Sequence, residues 1–201
     1  MTQFKAINQI ENKLKELTGC KHDLRSSDFI IPTENQNALI IKEQGNDADL
    51  AVCLQKYILE RLGERDFPND FSFKLLPDLS VVVEELSHFN YYCENALLDQ
   101  SLSELELEVQ GEVDKFAYAL ECLHLKNAQD LKDQLFEVMF GELTLGGWVD
   151  ESEVQRYYEA HQIARQFCRH VLDQKDRVDN LHRGFKEFYQ RSGAEKLSTK
   201  F

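Results

Sequence analysis

The chain has 201 residues and a formal net charge of −13, from 36 Asp and Glu against 23 Lys and Arg. A content of 42 % hydrophobic and 10 % aromatic residues is enough for a buried core and excludes wholesale disorder. The acidic balance argues against sequence-independent nucleic-acid binding, which needs a basic footprint, and against docking on anionic lipid.

The N-terminus has no apolar stretch of signal-peptide type, and no run in the chain approaches a membrane span. Five cysteines, Cys20, Cys53, Cys93, Cys122 and Cys168, are scattered without a C-x-x-C pair. They read as reduced thiols of a cytoplasmic protein rather than a disulfide framework or a zinc knuckle.

In chain order, Phe4, Ile7, Ile10, Leu14 and Leu17 recur at helical spacing, and Gly19 marks a stop. Residues 28–43 break that period. A small β-hairpin is expected over 37–43 and 48–54 around the Gly45-Asn46-Asp47 turn, with one helix over 48–62 as the alternative. Residues 63–77, with Gly63, Pro68, Asn69 and Pro77, form a connector.

From Pro77 helices dominate. The first runs to about Leu98, with Asp78 as candidate cap. The second starts at Ser101 or Ser103 and ends near Leu125. A third carries Ala128, Leu131, Leu135, Val138 and Met139. The Gly141–Trp148 segment is a turn with Trp148 folding back as a plug. Asp150 or Ser152 caps a fourth helix to about Leu172, and Val178, Leu181, Phe185, Phe188 and Tyr189 mark a fifth. The fold class is therefore mainly α: a bundle of about five to six helices with a small N-terminal β-hairpin. Residues 1–76 form a helix and β element packed on a bundle of 77–192, and 193–201 a frayed tail, in one domain overall.

Charge is uneven. Residues 101–160 carry 14 acids and 4 bases, a net of −10, whereas 161–201 carry 5 acids and 9 bases, a net of +4. An acidic centre and a basic tail complement each other, within one chain or between protomers. This asymmetry makes action through protein contacts or self-association the leading functional expectation.

The segment Leu79–Leu98 is apolar nearly all round, the pattern of a central helix, yet Glu84, Glu85 and His88 sit in its middle. Glu84 and His88 are four apart and Glu85 and His88 three apart, so they meet on one face. Buried carboxylates must be paired, protonated or bound to a cation. On the next helix Glu108 and Glu112 lie beside the core stripe. Two helices joined by a short connection are antiparallel neighbours, which faces Glu84, Glu85 and His88 with Glu108 and Glu112. Four carboxylates and an imidazole are the ligand set of a divalent metal site, the rival expectation to protein contacts. No phosphate-binding glycine motif is present, so no nucleotide cofactor is expected.

Three resemblances accompany these residues. Glu85-Leu-Ser-His88 and Glu121-Cys-Leu-His124 resemble the repeated Glu-x-x-His motif of ferritin-like di-iron carboxylate proteins, which implies a di-metal site in a helical bundle. Val83-Glu-Glu-Leu-Ser-His-Phe89, followed by Leu105-Glu-Leu-Glu-Val-Gln-Gly-Glu-Val-Asp-Lys-Phe116, resembles the core of a group of small helical bacterial proteins and implies no particular chemistry. Arg165-Gln-Phe-Cys-Arg-His170 resembles the Arg-x4-His motif of HEPN-type helical ribonucleases; the same spacing recurs at Arg156…His161 and Arg177…His182.

Overall fold

The computed structural model describes residues 4–45, 47–141, 150–174 and 178–198, with side chains undescribed at 178–180. Among these residues eight α-helices and one three-stranded sheet form a mainly α fold with its β element near the N-terminus. Helix α1, Lys5–Thr18, buries Ala6, Ile7, Ile10, Leu14 and Leu17 and ends at Gly19, whose φ of 74° is the left-handed cap that glycine adopts without strain.

The sheet extends the expected hairpin. Strand β2, Ala38–Gln44, runs antiparallel to β3, Asp47–Gln55, with Ala38 opposite Cys53. Strand β1, Ile30–Thr33, pairs parallel to β3 on its other edge, giving the order β1-β3-β2. A strand this short, with a proline in it, carries no periodicity to announce itself; only the exposed edge of β3 selects it. Residues 48–62 divide between strand and helix: β3 ends at Gln55 and α2 occupies Lys56–Leu62, burying Ile58 and Leu62.

Helix α3, Leu76–Leu97, begins two residues before the expected cap. Asp78 lies inside its first turn, where its carboxylate meets Arg61 Nη1 at 3.0 Å. Helix α4, Glu104–Leu125, is capped by Ser103, whose hydroxyl accepts from the Glu106 N–H while the Glu106 carboxylate returns to the Ser103 N–H. Helix α5 is Lys132–Phe140, and α6, Glu151–Asp173, is capped by Asp150 in the same reciprocal manner. Gly146-Gly147-Trp148, where a turn with Trp148 as a plug is expected, lies outside the described residues.

Helix α4 is the true centre, with 15 of its 22 residues buried. The pairs on α3 and α4 run in opposite senses. Glu84 meets Lys115, Ser87 meets Asp114, and His88 faces Glu108, so the two helices are antiparallel as expected. On α6, Arg156 meets Glu104 and Glu108 while His161 meets Glu112, which makes α4 and α6 parallel. The far end of α3 is less buried than its pattern predicts: Leu97 and Leu98 are 69 % and 60 % exposed. One hydrophobic core joins Ile7, Ile10 and Leu14 of α1, Val52 and Leu54 of β3 and Ile58 of α2 to the bundle interior around Phe116, Phe136, Phe167 and Phe188.

Helix α7 spans Val178–Tyr189. The chain after Ser192, read as a frayed tail, departs from expectation: Gly193–Leu197 forms a short helix, α8, and Lys196 is fully buried. Lys196 Nζ donates to Gln110 Oε1 at 2.8 Å and lies 3.8 Å from the centre of the Tyr91 ring. Hydrogen bonding and a cation–π contact offset part of the desolvation cost of this buried lysine. Residues 199–201 lie outside the described residues.

The basic C-terminal helices find acids within the same chain. Arg169 of α6 reaches Asp133 and Glu137 of α5 at 3.4 and 3.3 Å, and His182 of α7 donates to Glu121 of α4 at 2.7 Å. The charge asymmetry of the sequence is thus partly neutralised internally.

Candidate metal centre

Antiparallel α3 and α4 place Glu84, Glu85, His88, Glu108 and Glu112 along one seam, and α6 closes it with Arg156 and His161. One ligand atom each from Glu84, His88 and Glu108 lies within 4.8 Å of the others. His88 Nε2 stands 3.8 Å from Glu108 Oε2, and His88 Nδ1 stands 4.0 Å from Glu85 Oε2. These are gaps between donor atoms rather than hydrogen bonds. His88 Nε2 and Glu85 Oε2 are buried without a hydrogen-bond partner, and Glu85 is only 8 % exposed. Such orphaned polar atoms are costly unless something meets them.

Gly111 makes this approach possible. A Cβ at that position would lie 2.9 Å from His88 Nε2 and 3.5 Å from Glu84 Cγ. The glycine in the middle of α4 therefore leaves space for the imidazole and keeps the seam narrow.

The electrostatics move Glu85 and Glu108 one way and Glu112 the other. Burial, reinforced by Glu84 and Glu108, pushes the Glu85 carboxyl up to about 8. Burial with Glu84 nearby pushes Glu108 up to about 7, against the opposing pull of Arg156. Glu112 goes the other way: burial raises it, but Lys115 and His161 override that and hold it at about 2. Burial lowers His88 despite the acids beside it, so its imidazole favours the neutral form that ligates metals.

Sequence reasoning placed the five residues on one seam but missed the cations. Lys115 Nζ donates to Glu112 Oε1 at 2.7 Å and to Glu84 Oε2 at 3.1 Å, with its side chain 11 % exposed. Glu112 is therefore engaged by Lys115, and by His161 Nδ1 at 3.7 Å, rather than grouped with the three closest donors. Arg156 pairs with Glu104 and reaches Glu108 at 3.9 Å. A signal for Lys115 was present: it is the one base of Lys or Arg type in α4, three residues after Glu112 on the site-facing side. The Arg-x4-His spacing picked out Arg156 and His161 on α6 but not their place at this seam, which they reach by tertiary packing.

The remaining motif residues lie elsewhere. Glu121 is bound by His182 and His124 contacts Gln129 at 2.9 Å, both away from the α3–α4 seam. Arg165 and His170 are both exposed on α6, and His170 pairs with Gln174. A cleft of about 650 Å³, lined by Ile41, Glu43, Tyr92, Asn95, Leu102 and Leu107 among others, opens one turn along from the candidate centre. Tyr92 follows His88 by four residues and Leu107 precedes Glu108, so the cleft adjoins the ligand-bearing turns.

No helix among the described residues is long and apolar enough to cross a membrane. The chain matches no family model, no curated protein and no solved structure with which it was compared.

Proposed function

We propose that this protein binds a divalent metal ion through Glu84, His88 and Glu108, with Glu85 in support. The observation that carries the reading is the convergence of three donor atoms from two helices within 4.8 Å, one of them an imidazole nitrogen buried without a partner. Two carboxylates and one imidazole suit borderline to hard ions such as Zn²⁺, Mn²⁺ or Fe²⁺. Three protein ligands leave coordination positions for water or substrate. Glu85, whose carboxyl burial pushes up, stands 4.0 Å from His88 Nδ1 and would orient the imidazole beside the ligand set. The five free cysteines support a reducing, cytoplasmic setting.

Elemental analysis of protein purified without chelator, with thermal shift against Mn²⁺, Fe²⁺, Zn²⁺ and Mg²⁺, tests this directly. About one ion per chain is expected, with a melting shift that Glu84→Gln, His88→Ala and Glu108→Gln each abolish. Absence of metal together with no shift for any of the four ions overturns the reading.

A second reading, action through protein contacts, is supported by Leu97 and Leu98, adjacent and more than half exposed at the end of α3. Analytical ultracentrifugation and co-purification distinguish it: a monomer that retains no partner counts against it.

A further inference from the structure

The candidate centre contains a cation of its own. Lys115 Nζ bridges Glu84 Oε2 and Glu112 Oε1, and Glu84 is one of the three converging donors. An ammonium and a dication on the same half-buried carboxylate repel each other. Lys115 has an alternative place at hand. Its contact with Glu112 is the shorter of the two, 2.7 against 3.1 Å, and comes from three residues earlier on its own helix. Glu112 also faces His161 Nδ1 of α6 at 3.7 Å, so that carboxylate has a neighbour independent of Glu84.

We propose that Lys115 is a resident competitor for the metal, occupying Glu84 until a divalent ion displaces it onto Glu112. This rests on the metal-binding reading and deepens it. The lysine supplies the positive charge that holds the acidic seam together on its own, so folding does not depend on metal. The same charge weakens metal binding, which makes occupancy responsive to metal supply rather than permanent. Glu112, although not a ligand, then sets affinity indirectly as the acceptor that receives the displaced ammonium. Two further observations point to a ligand in this seam rather than to a closed ion-pair network. Glu85 Oε2 and His88 Nε2 remain unpartnered although Lys115 satisfies their neighbours, and Gly111 lets the imidazole lie against α4 with Nε2 facing the Glu108 carboxylate.

The test is a double-mutant cycle on Zn²⁺ and Mn²⁺ affinity by calorimetry, using the full chain. Lys115→Met is expected to tighten binding at least tenfold and to lower the melting temperature in chelator, a loss that added metal restores. Glu112→Gln is expected to weaken binding severalfold in the wild-type background and to change it less than twofold beside Lys115→Met. Should Lys115→Met fail to fold, Lys115→Gln, which keeps hydrogen-bond donors and removes the charge, replaces it. Metal binding by the wild type with unchanged affinity in both lysine variants overturns the proposal while leaving the site intact. No binding by wild type or variants overturns the metal reading itself.

Discussion

Lys196 donates its ammonium to Gln110 across 86 residues of sequence, at 2.8 Å, in a part of the core that water does not reach. Gln110 in turn donates to Asp114 Oδ1 at 2.8 Å, and Ser87 donates to Asp114 Oδ2 at 2.6 Å. A polar chain thus runs from the last helix through α4 to α3, behind the candidate centre, and ties the C-terminal segment to the ligand-bearing helices.

This tie has a pH signature. Burial, opposed by Asp114 and Glu106, lowers the Lys196 amine to about 7, below the 10.5 of a free lysine. The unfolded chain therefore binds more protons between those values, and stability rises with pH across that window. Hydrogen exchange of the α8 amides, corrected for intrinsic rates, is expected to slow from pH 7 toward pH 9. Lys196→Met is expected to remove that dependence.

Glu85 has the opposite sign. Its folded-state value of about 8 exceeds the ordinary 4.5, so the native state binds more protons and stability falls as pH rises between them. Glu85→Gln is expected to raise the urea midpoint at pH 8 and above and to leave it nearly unchanged near pH 4.5. Denaturation curves of the two proteins at matched pH values give the comparison.

Gly111→Ala separates the site from its ligands. An alanine in mid-helix is favourable by about 1 kcal/mol on propensity alone. Here its methyl carbon would stand 2.9 Å from His88 Nε2 and force the imidazole to move. The expected result is a loss of at least tenfold in Zn²⁺ affinity by calorimetry with a folded circular-dichroism spectrum.

Ser103→Ala probes the frame. It removes the reciprocal cap of α4, whose loss costs about 1 kcal/mol. Because α4 carries both Glu108 and Glu112, a lower urea midpoint is expected with the stoichiometry of metal binding unchanged.

What could be read from the chain follows from local periodicity. The hairpin came from a Gly45 turn between apolar runs, and α4 and α6 from capping residues before helical stripes, Ser101 or Ser103 and Asp150 or Ser152, of which the structure uses Ser103 and Asp150. The seam of Glu84, Glu85, His88, Glu108 and Glu112 came from two long neighbouring helices that a short connection had to fold back on each other. Each of those inferences uses contacts within a few residues or one tight turn, where sequence spacing and spatial distance are nearly the same thing.

Only the tertiary structure decided which charges meet. It settled that Glu112 belongs to Lys115 and His161 while Glu84 and Glu108 converge on His88, that β1 completes the sheet, and that the basic tail ends with Lys196 in the core. The net charge of −13 says how many acids there are; burial and the placement of single cations say which of them are held ionised and which protonated. Those are properties of distances between residues far apart in the chain, and no local pattern encodes them.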